Sequence, residues 1–115
     1  MANLEELTSK VVKLRDERDW KQFHNAKDLA LSLSLEASEV VELFQWKNGE
    51  ELDRYVETHK EEIGEELSDV LYWVLLMSRD LGISIEEAFF KKLREIEEKY
   101  PVDKARGNHK KYSEL

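Results

Sequence analysis

The sequence contains no cysteine and only one proline, and each absence excludes a kind of architecture. Without thiols the chain can form neither a disulfide framework nor a zinc–thiolate site. Pro101 and four glycines are the only strong helix breakers, so most of the 115 residues are free to be helical. A chain of this length predicts one domain, residues 1–115, with a modest core.

Long apolar runs and an excess of positive charge are also missing. No segment approaches ~18 consecutive apolar residues and no signal-peptide pattern opens the chain, so we expect a cytoplasmic protein with no membrane partner. Acidic residues outnumber basic ones 26 to 18, for a net charge of -8. This charge repels nucleic-acid phosphates, and we therefore expect no nucleic-acid partner.

Apolar residues recur at helical spacing in four long segments, which predicts an all-α fold of the four-helix-bundle type. The predicted helices run from Asn3 to about Arg18, from Asn25 to about Trp46, from Thr58 to Leu81 and from Ser84 to the residue before Pro101. Thr58 with Glu61 and Ser84 with Glu87 have the spacing of capping boxes. A short helical turn around Tyr55 is expected between the second and third helices.

The inward faces of these helices follow from the same periodicity. Expected to point inward are Leu29, Leu33, Ala37, Val40, Leu43 and Phe44 of the second helix, Ile63, Leu67, Val70, Val74 and Met77 of the third, and Ala88, Phe89, Leu93 and Ile96 of the fourth. The basic tail, residues 103–115, lacks periodicity and is expected to dock on the surface. Because the chain is 38% charged, its core is small, and oligomerisation is expected to complete the bundle.

Four acidic residues lie in or beside the apolar stripes of the second and third helices. With Leu29 as origin and 100° per residue, Glu36 falls at ~340°, inside the apolar arc, and Glu39 at ~280°, on its flank. Glu66 and Asp69 lie at the edge of the next helix's arc in the same way. An unpaired buried carboxylate costs several kcal/mol, so a divalent cation between the helices would stabilise this arrangement.

Two such pairs on consecutive helices predict a magnesium site. Mg²⁺ prefers oxygen ligands and accepts a few carboxylates together with substrate phosphates. Glu39 and Glu66 are the candidates for a general base acting on water. No Glu-x-x-His spacing accompanies them, which argues against a di-iron bundle. Acidic pairs also occur on ordinary solvated helices, so a non-catalytic helical interaction module with salt-bridged acids is the alternative.

Three tryptophans and several basic residues complete the set of candidates. Trp73 follows Asp69 by about one helical turn, where its ring could pack against a nucleobase, and Trp20 and Trp46 flank the second helix. Packing in the core is the ordinary role for each of these rings. Cations that could neutralise phosphate are Lys92 on the fourth helix and Lys104, Arg106, Lys110 and Lys111 in the tail. A solvated or partner-binding tail is the alternative.

Several segments carry a family resemblance. They are Arg18-Asp19-Trp20, Gln22-Phe23-His24, Glu36-x-x-Glu39-x-x-Glu42-Leu43-Phe44-Gln45-Trp46, Glu65-Glu66-Leu67-Ser68-Asp69-Val70-Leu71, Tyr100-Pro101-Val102, Arg106-Gly107 and Lys111-Tyr112. With these segments the chain resembles the MazG-like all-α nucleoside triphosphate pyrophosphohydrolases, most closely their dCTP pyrophosphatase branch. The resemblance implies Mg²⁺-dependent hydrolysis of dCTP or related pyrimidine deoxynucleoside triphosphates to monophosphate and pyrophosphate, in a homodimer or homotetramer that cleans the nucleotide pool.

The resemblance also implies roles for individual residues. Glu36, Glu39, Glu66 and Asp69 would be metal ligands, and Trp20, His24, Trp46, Trp73, Lys92, Arg106 and Lys111 would bind substrate. Trp73 stands where the cytidine-specific branch has a tyrosine, and Val11 and Ile96 stand where it has a histidine and an asparagine. These departures remove polar contacts and leave the base specificity open. dUTP and phosphoribosyl-ATP are the alternative substrates.

Overall fold

The computed structural model describes residues 2–115, and all regular structure in that range is helical. The α-helices are α1 (Leu4–Glu17), α2 (Ala26–Phe44), α3 (Gly49–Thr58), α4 (Lys60–Asp80), α5 (Ile85–Lys99) and α6 (Val102–Ala105), with single 3₁₀ turns at Lys21–Phe23 and Tyr112–Glu114. The all-α prediction is confirmed. None of the helices in the described range combines the length and apolar character that a membrane span requires.

Three helices begin where the capping signals predicted. The side chains of Asn3, Asn25 and Ser84 accept hydrogen bonds from the backbone N–H groups of Glu6, Asp28 and Glu87, at 2.9, 2.8 and 3.4 Å. Each bond satisfies one of the N–H groups that the first turn of a helix leaves without an intrahelical partner. These three starts are therefore fixed by local sequence.

The predicted start of the long central helix was wrong. Thr58 is the last residue of α3, and its hydroxyl donates 2.8 Å to the carbonyl oxygen of Arg54 instead of capping the following helix. The central helix α4 begins at Lys60, after His59. The turn expected around Tyr55 is instead the complete ten-residue helix α3, because its apolar residues have α4 to pack against.

Within residues 2–82, α1, α2 and α3 each pack against α4. Leu29 of α2 and Leu75 and Leu76 of α4 are almost fully buried, so the centre of this unit lies around the carboxyl-terminal half of α4. Two expected core positions lie outside it. Ala37 is exposed and Leu67 is 54% exposed, because the apolar stripes are wider than the surface that the neighbouring helix covers.

The chain divides into two compact units, one ending at Gly82 and the other beginning at Ile83. In the second unit, Tyr112 packs edge-on against Tyr100 with ring centroids 6.1 Å apart, and the Lys99 ammonium lies 4.8 Å from the Tyr112 ring. The tail thus docks on the end of α5, as expected. It also contains the short helix α6, which the sequence did not predict. That the whole chain is one domain stays a prediction.

The expected inward face of α5 is exposed. Ala88 is exposed, and Phe89, Leu93 and Ile96 are 58%, 38% and 44% exposed. The prediction that they point inward was wrong because residues 83–115 supply no second long helix to cover this face.

Candidate metal centre

The packing of α2 on α4 brings the four predicted acids together. One carboxylate oxygen from each of Glu36, Glu39, Glu66 and Asp69 lies within 4.8 Å of the other three. The i, i+3 spacing places both members of each pair on one side of their helix. Two adjacent helices therefore present four carboxylates to a single point, which the sequence pattern had predicted. Their role as metal ligands stays a prediction.

The four carboxylates differ in burial. Glu39 and Asp69 are exposed, whereas Glu36 and Glu66 are half-buried. The Oε2 atoms of Glu36 and Glu66 are both buried, and neither has a hydrogen-bond partner among the described residues. A buried carboxylate oxygen without a donor is unfavourable, because its lost hydration is not replaced.

The ionisation of the two half-buried acids reflects this crowding. Burial, followed by contact with Glu39, raises the pKa of Glu36, while the indole of Trp73 opposes the rise. The pKa of Glu66 is raised most by a hydrogen bond with Glu39, which forms when one of the two carboxyl groups is protonated. Burial raises it further. Glu39 thus contributes to the raised pKa of both half-buried carboxyl groups.

The chemistry of this donor set fits a hard divalent cation. All four groups are carboxylates, and oxygen is the donor that Mg²⁺ and Ca²⁺ prefer. A cation would give these two Oε2 atoms a counter-charge, and it would oppose the effects of burial and of the neighbouring carboxyl groups that raise the two pKa values. Glu36, Glu39, Glu66 and Asp69 are therefore able to hold such an ion.

One of the predicted substrate residues, Trp73, lies beside the acidic cluster, and a second, His24, contacts Trp73. Trp73 is four residues beyond Asp69 on α4, and its indole influences Glu36 as described above. The His24 ring meets Trp73 edge-on, with centroids 5.7 Å apart and an interplanar angle of 74°. The Nδ1 atom of His24 is buried and has no hydrogen-bond partner among the described residues. Trp73 thus borders the acids, and its ring is followed by that of His24, which has one polar atom without a partner among the described residues.

The other two tryptophans flank α2 and are open to solvent. Trp20 is 42% exposed, with the Arg18 guanidinium 5.7 Å from its ring centroid. Trp46 is 88% exposed and has a φ of 72°, in the left-handed region. Neither ring is part of the buried core, although packing is the usual role of tryptophan.

The predicted phosphate-binding cations lie in the second compact unit. Lys92, Arg106 and Lys111 are all exposed, and Lys92 forms an ion pair with Glu95 at 3.7 Å. Because these residues belong to residues 83–115, their part in the site stays a prediction.

The buried ion pair between Arg15 and Asp80 was not predicted from the sequence. A signal was present. With Leu4 as origin, Arg15 falls at ~20°, next to Leu4 at the edge of the α1 apolar stripe that contains Leu7 (~300°) and Val11 (~340°). A cation at such a position requires a partner in the packed helix, and Asp80 supplies it.

Fold and site together define a class: all-α proteins in which acidic pairs on two packed helices bring four carboxylates close enough to hold a cation. The MazG-like family model matches residues 31–115, and the chain belongs to this family.

Similar proteins share both sequence and structure with the chain. dCTP pyrophosphatase 1 of Mus musculus is 38% identical over 101 residues, and that of Homo sapiens is 37% identical over 101 residues. Each alignment covers 86% of this chain but only 59% of the relative's length. The crystal structure of a pyrophosphatase from Archaeoglobus fulgidus DSM 4304 superposes with a TM-score of 0.81 and 35% identity, covering 88% of this chain and 94% of that one.

Proposed function

We propose that this protein is a Mg²⁺-dependent nucleoside triphosphate pyrophosphohydrolase that converts dCTP or a related pyrimidine deoxynucleotide to the monophosphate and pyrophosphate. The observation that carries the proposal is the cluster of four carboxylates, in which two buried oxygens have no hydrogen-bond partner within residues 2–115. Its occurrence in a MazG-like chain similar to dCTP pyrophosphatases supports the choice of substrate. The proposed role is cytoplasmic cleaning of the nucleotide pool.

Glu36, Glu39, Glu66 and Asp69 would hold the metal. A bound Mg²⁺ would neutralise phosphate charge, stabilise the charge of the transition state and lower the pKa of water. The half-buried positions of Glu36 and Glu66 fix their side chains within the helix packing, whereas Glu39 and Asp69 are open to the solvent side. A substrate would therefore approach over Glu39 and Asp69.

The hydrolysis itself requires water, a base and an oriented triphosphate. Either Glu39 or Glu66 would accept the proton of the attacking water. The water oxygen bonds to the α-phosphorus. The bond between the α-phosphorus and the oxygen that bridges it to the β-phosphate breaks, which releases pyrophosphate. His24 and Trp73 would border the nucleoside, with Trp20 and Trp46 completing its contacts. Lys92, Arg106 and Lys111 would neutralise phosphate oxygens.

A homodimer or homotetramer is part of the proposal. The outer faces of α2 and α4 carry exposed Leu31, Leu35, Val41 and Leu67, and Phe89 and Phe90 are exposed on α5. So much exposed apolar surface on a chain with this small a core favours burial between subunits. Such burial would complete the bundle.

Product analysis tests the proposal. The protein is incubated with Mg²⁺ and each of dCTP, dTTP, dUTP, dATP, dGTP and phosphoribosyl-ATP, and monophosphate is resolved from diphosphate. We expect monophosphate and pyrophosphate in equal amounts, with dCTP fastest. Glu39→Gln and Glu66→Gln should abolish turnover in a folded protein, whereas the exposed Glu57→Gln on α3 should not. Cleavage of dUTP or phosphoribosyl-ATP alone would reassign the substrate, and no cleavage at all would favour the non-catalytic interaction module.

A further inference from the structure

Trp46 has two properties that a role in packing does not explain. Its side chain is 88% exposed, and its backbone has a φ of 72°. The left-handed region is unfavourable for a bulky side chain, and glycine is the residue that helix ends ordinarily place there. An exposed indole gains little from packing that could offset this strain. Strained residues persist where the surrounding structure imposes them, and they concentrate at functional sites.

The turn around Trp46 is closed by hydrogen bonds on both sides. The Gln45 N–H donates to the Val41 carbonyl at 3.0 Å, and the Lys47 N–H donates to the Phe44 carbonyl at 3.1 Å. The Lys47 side chain then turns back, and its ammonium donates to the Leu43 carbonyl at 2.9 Å. The residue after Trp46 is thus tied to the last turn of α2 by both its backbone and its side chain.

The Lys47 ammonium is also held by α3. It lies 4.5 Å from the centroid of the Tyr55 ring, within the range of a cation–π contact. The Tyr55 ring stacks on His59, with centroids 4.1 Å apart and planes within 15°, and meets Phe44 edge-on at 6.0 Å. Because His59 is the residue between α3 and α4, this contact chain connects the end of α2 to the start of the central helix.

We infer that Lys47 and Tyr55 are positioning residues that hold Trp46 in its strained, exposed conformation, ready to contact the nucleobase. A lysine that only satisfied the carbonyl groups at the end of α2 would work equally well beside a glycine. The large ring at position 46 is what requires another explanation. The inference rests on the proposed function, in which Trp46 contacts the nucleoside. It adds that this contact depends on two residues which do not touch the substrate.

The first test reads the conformation of Trp46 without using activity. The protein is labelled with 5-fluorotryptophan, and its ¹⁹F resonance for Trp46 is assigned with Trp46→Phe. Lys47→Met removes the hydrogen bond and the cation–π contact, while Tyr55→Leu removes only the ring. In both variants we expect the Trp46 resonance to shift or broaden. Lys47→Arg, which keeps a cation over the ring, should restore it, and the exposed Lys10→Met on α1 should leave it unchanged. A Trp46 resonance that is unchanged in both Lys47→Met and Tyr55→Leu overturns the inference.

The second test uses kinetics and stability. Lys47→Met should raise KM for dCTP roughly threefold to tenfold, the effect of losing one hydrogen bond and one cation–π contact, with kcat changed less than twofold. Lys47→Arg should restore KM. Trp46→Gly should raise KM while leaving the melting temperature unchanged or higher, because it relieves strain and loses little packing. A lower melting temperature for Trp46→Gly would give Trp46 a structural role and overturn the inference.

The two tests separate failure of the inference from failure of the proposed function. If no nucleotide is hydrolysed, the proposed function fails, while the ¹⁹F spectra still decide whether Lys47 and Tyr55 hold Trp46. If the resonance moves in Lys47→Met but KM does not, Trp46 does not contact the base and the positioning role is overturned.

Discussion

Arg15 of α1 and Asp80, the last residue of α4, form a two-bond ion pair. Nη1 of Arg15 donates to Oδ2 of Asp80 at 2.6 Å, and Nη2 donates to Oδ1 at 2.9 Å. The Arg15 side chain is 2% exposed and the Asp80 side chain 15%. The pair attaches α1 to the carboxyl-terminal end of α4, the helix that also carries Glu66 and Asp69.

Removing one partner of this pair is predicted to be costly. Asp80→Asn leaves the buried Arg15 guanidinium without its counter-charge, and we expect a loss of about 3 kcal/mol in the free energy of unfolding. Urea denaturation monitored by circular dichroism measures it. Asp16→Asn is the control, since this 53% exposed carboxylate lies 3.4 Å from Nε of the same arginine and should matter by less than about 1 kcal/mol. Equal effects of the two substitutions would contradict the prediction.

The same pair predicts a pH dependence in the acid range. The hydrogen bond from Arg15, and then its charge, lower the pKa of Asp80. A carboxyl group with a lowered folded-state pKa contributes stability that is complete above its unfolded pKa of ~3.9 and is lost as pH falls through the folded-state value. We therefore expect the free energy of unfolding to fall below about pH 4 in the wild type, with a shallower fall in Asp80→Asn. Parallel acid limbs for the two proteins would contradict this assignment.

The metal-free acidic cluster predicts that, at higher pH, the free energy of unfolding changes with pH in the opposite direction. The raised pKa values of Glu36 and Glu66 mean that the folded state binds more protons than the unfolded state, between the unfolded value of ~4.3 and the raised values. Stability should therefore decrease as pH rises through this window. Urea titrations in EDTA across the window measure the slope, and Glu36→Gln should reduce it. A slope unaffected by Glu36→Gln would place its origin elsewhere.

Magnesium is predicted to reverse this destabilisation. A cation that binds only the folded cluster stabilises it by mass action, by about 1.4 kcal/mol at ten times its dissociation constant. Thermal melts at pH 7.5 with and without millimolar Mg²⁺ should show a rise in midpoint for the wild type and none for the Glu36→Gln/Glu66→Gln double variant. Glu57→Gln, on α3, is the matched control and should keep the full rise. An unchanged midpoint in the wild type would count against a preformed cation site.

How far the sequence predicted these features depends on the distance over which each signal acts. Asn3, Asn25 and Ser84 act within one turn, and the helix starts at these residues were predicted correctly. The convergence of the acids required only two helical periods and the packing of neighbouring helices. The helix start predicted at Thr58 was wrong because its hydroxyl can bond either to the helix before it or to the helix after it. It bonds to the carbonyl of Arg54 in the helix before it. That choice depends on how α3 packs, which no local pattern contains.

The prediction that the apolar face of α5 is buried was wrong for a related reason. Periodicity marks Phe89, Leu93 and Ile96 as a face to be covered, but it does not say whether the same chain or a second one covers it. The Lys47–Tyr55 contact was not predicted either, since it joins the loop after α2 to α3, a helix that was expected only as a short turn. Periodicity therefore predicted the faces, and tertiary packing decided their partners.

Subunit association is predicted from the exposed apolar residues of α2. Light scattering at micromolar concentration should give a multiple of the 13.6 kDa chain mass. Leu35 is 67% exposed, and Leu35→Glu should lower the mass toward that of the monomer, since a charge buried in an interface costs several kcal/mol. Val102→Glu, in the second unit at a position 76% exposed, is the control for added charge. A monomeric wild type would overturn the proposed oligomer.

Discrimination between bases is predicted to be weak. Stacking on aromatic rings contributes roughly 1–3 kcal/mol per base and tolerates any base, whereas a pocket that hydrogen-bonds the base edge rejects analogues more strongly. Trp73, which adjoins Glu36, meets the His24 ring edge-on, and the family resemblance implies that the apolar Val11 and Ile96 replace polar side chains. We therefore expect dCTP to be preferred, with kcat/KM for dTTP and dUTP lower by less than about a thousandfold. Measuring kcat/KM for the four deoxynucleotides and dUTP tests this. A larger preference would mean that a polar group hydrogen-bonds the base edge. The first candidate is the buried Nδ1 of His24, which has no hydrogen-bond partner among the described residues. His24→Phe should then abolish the preference while leaving kcat for dTTP unchanged.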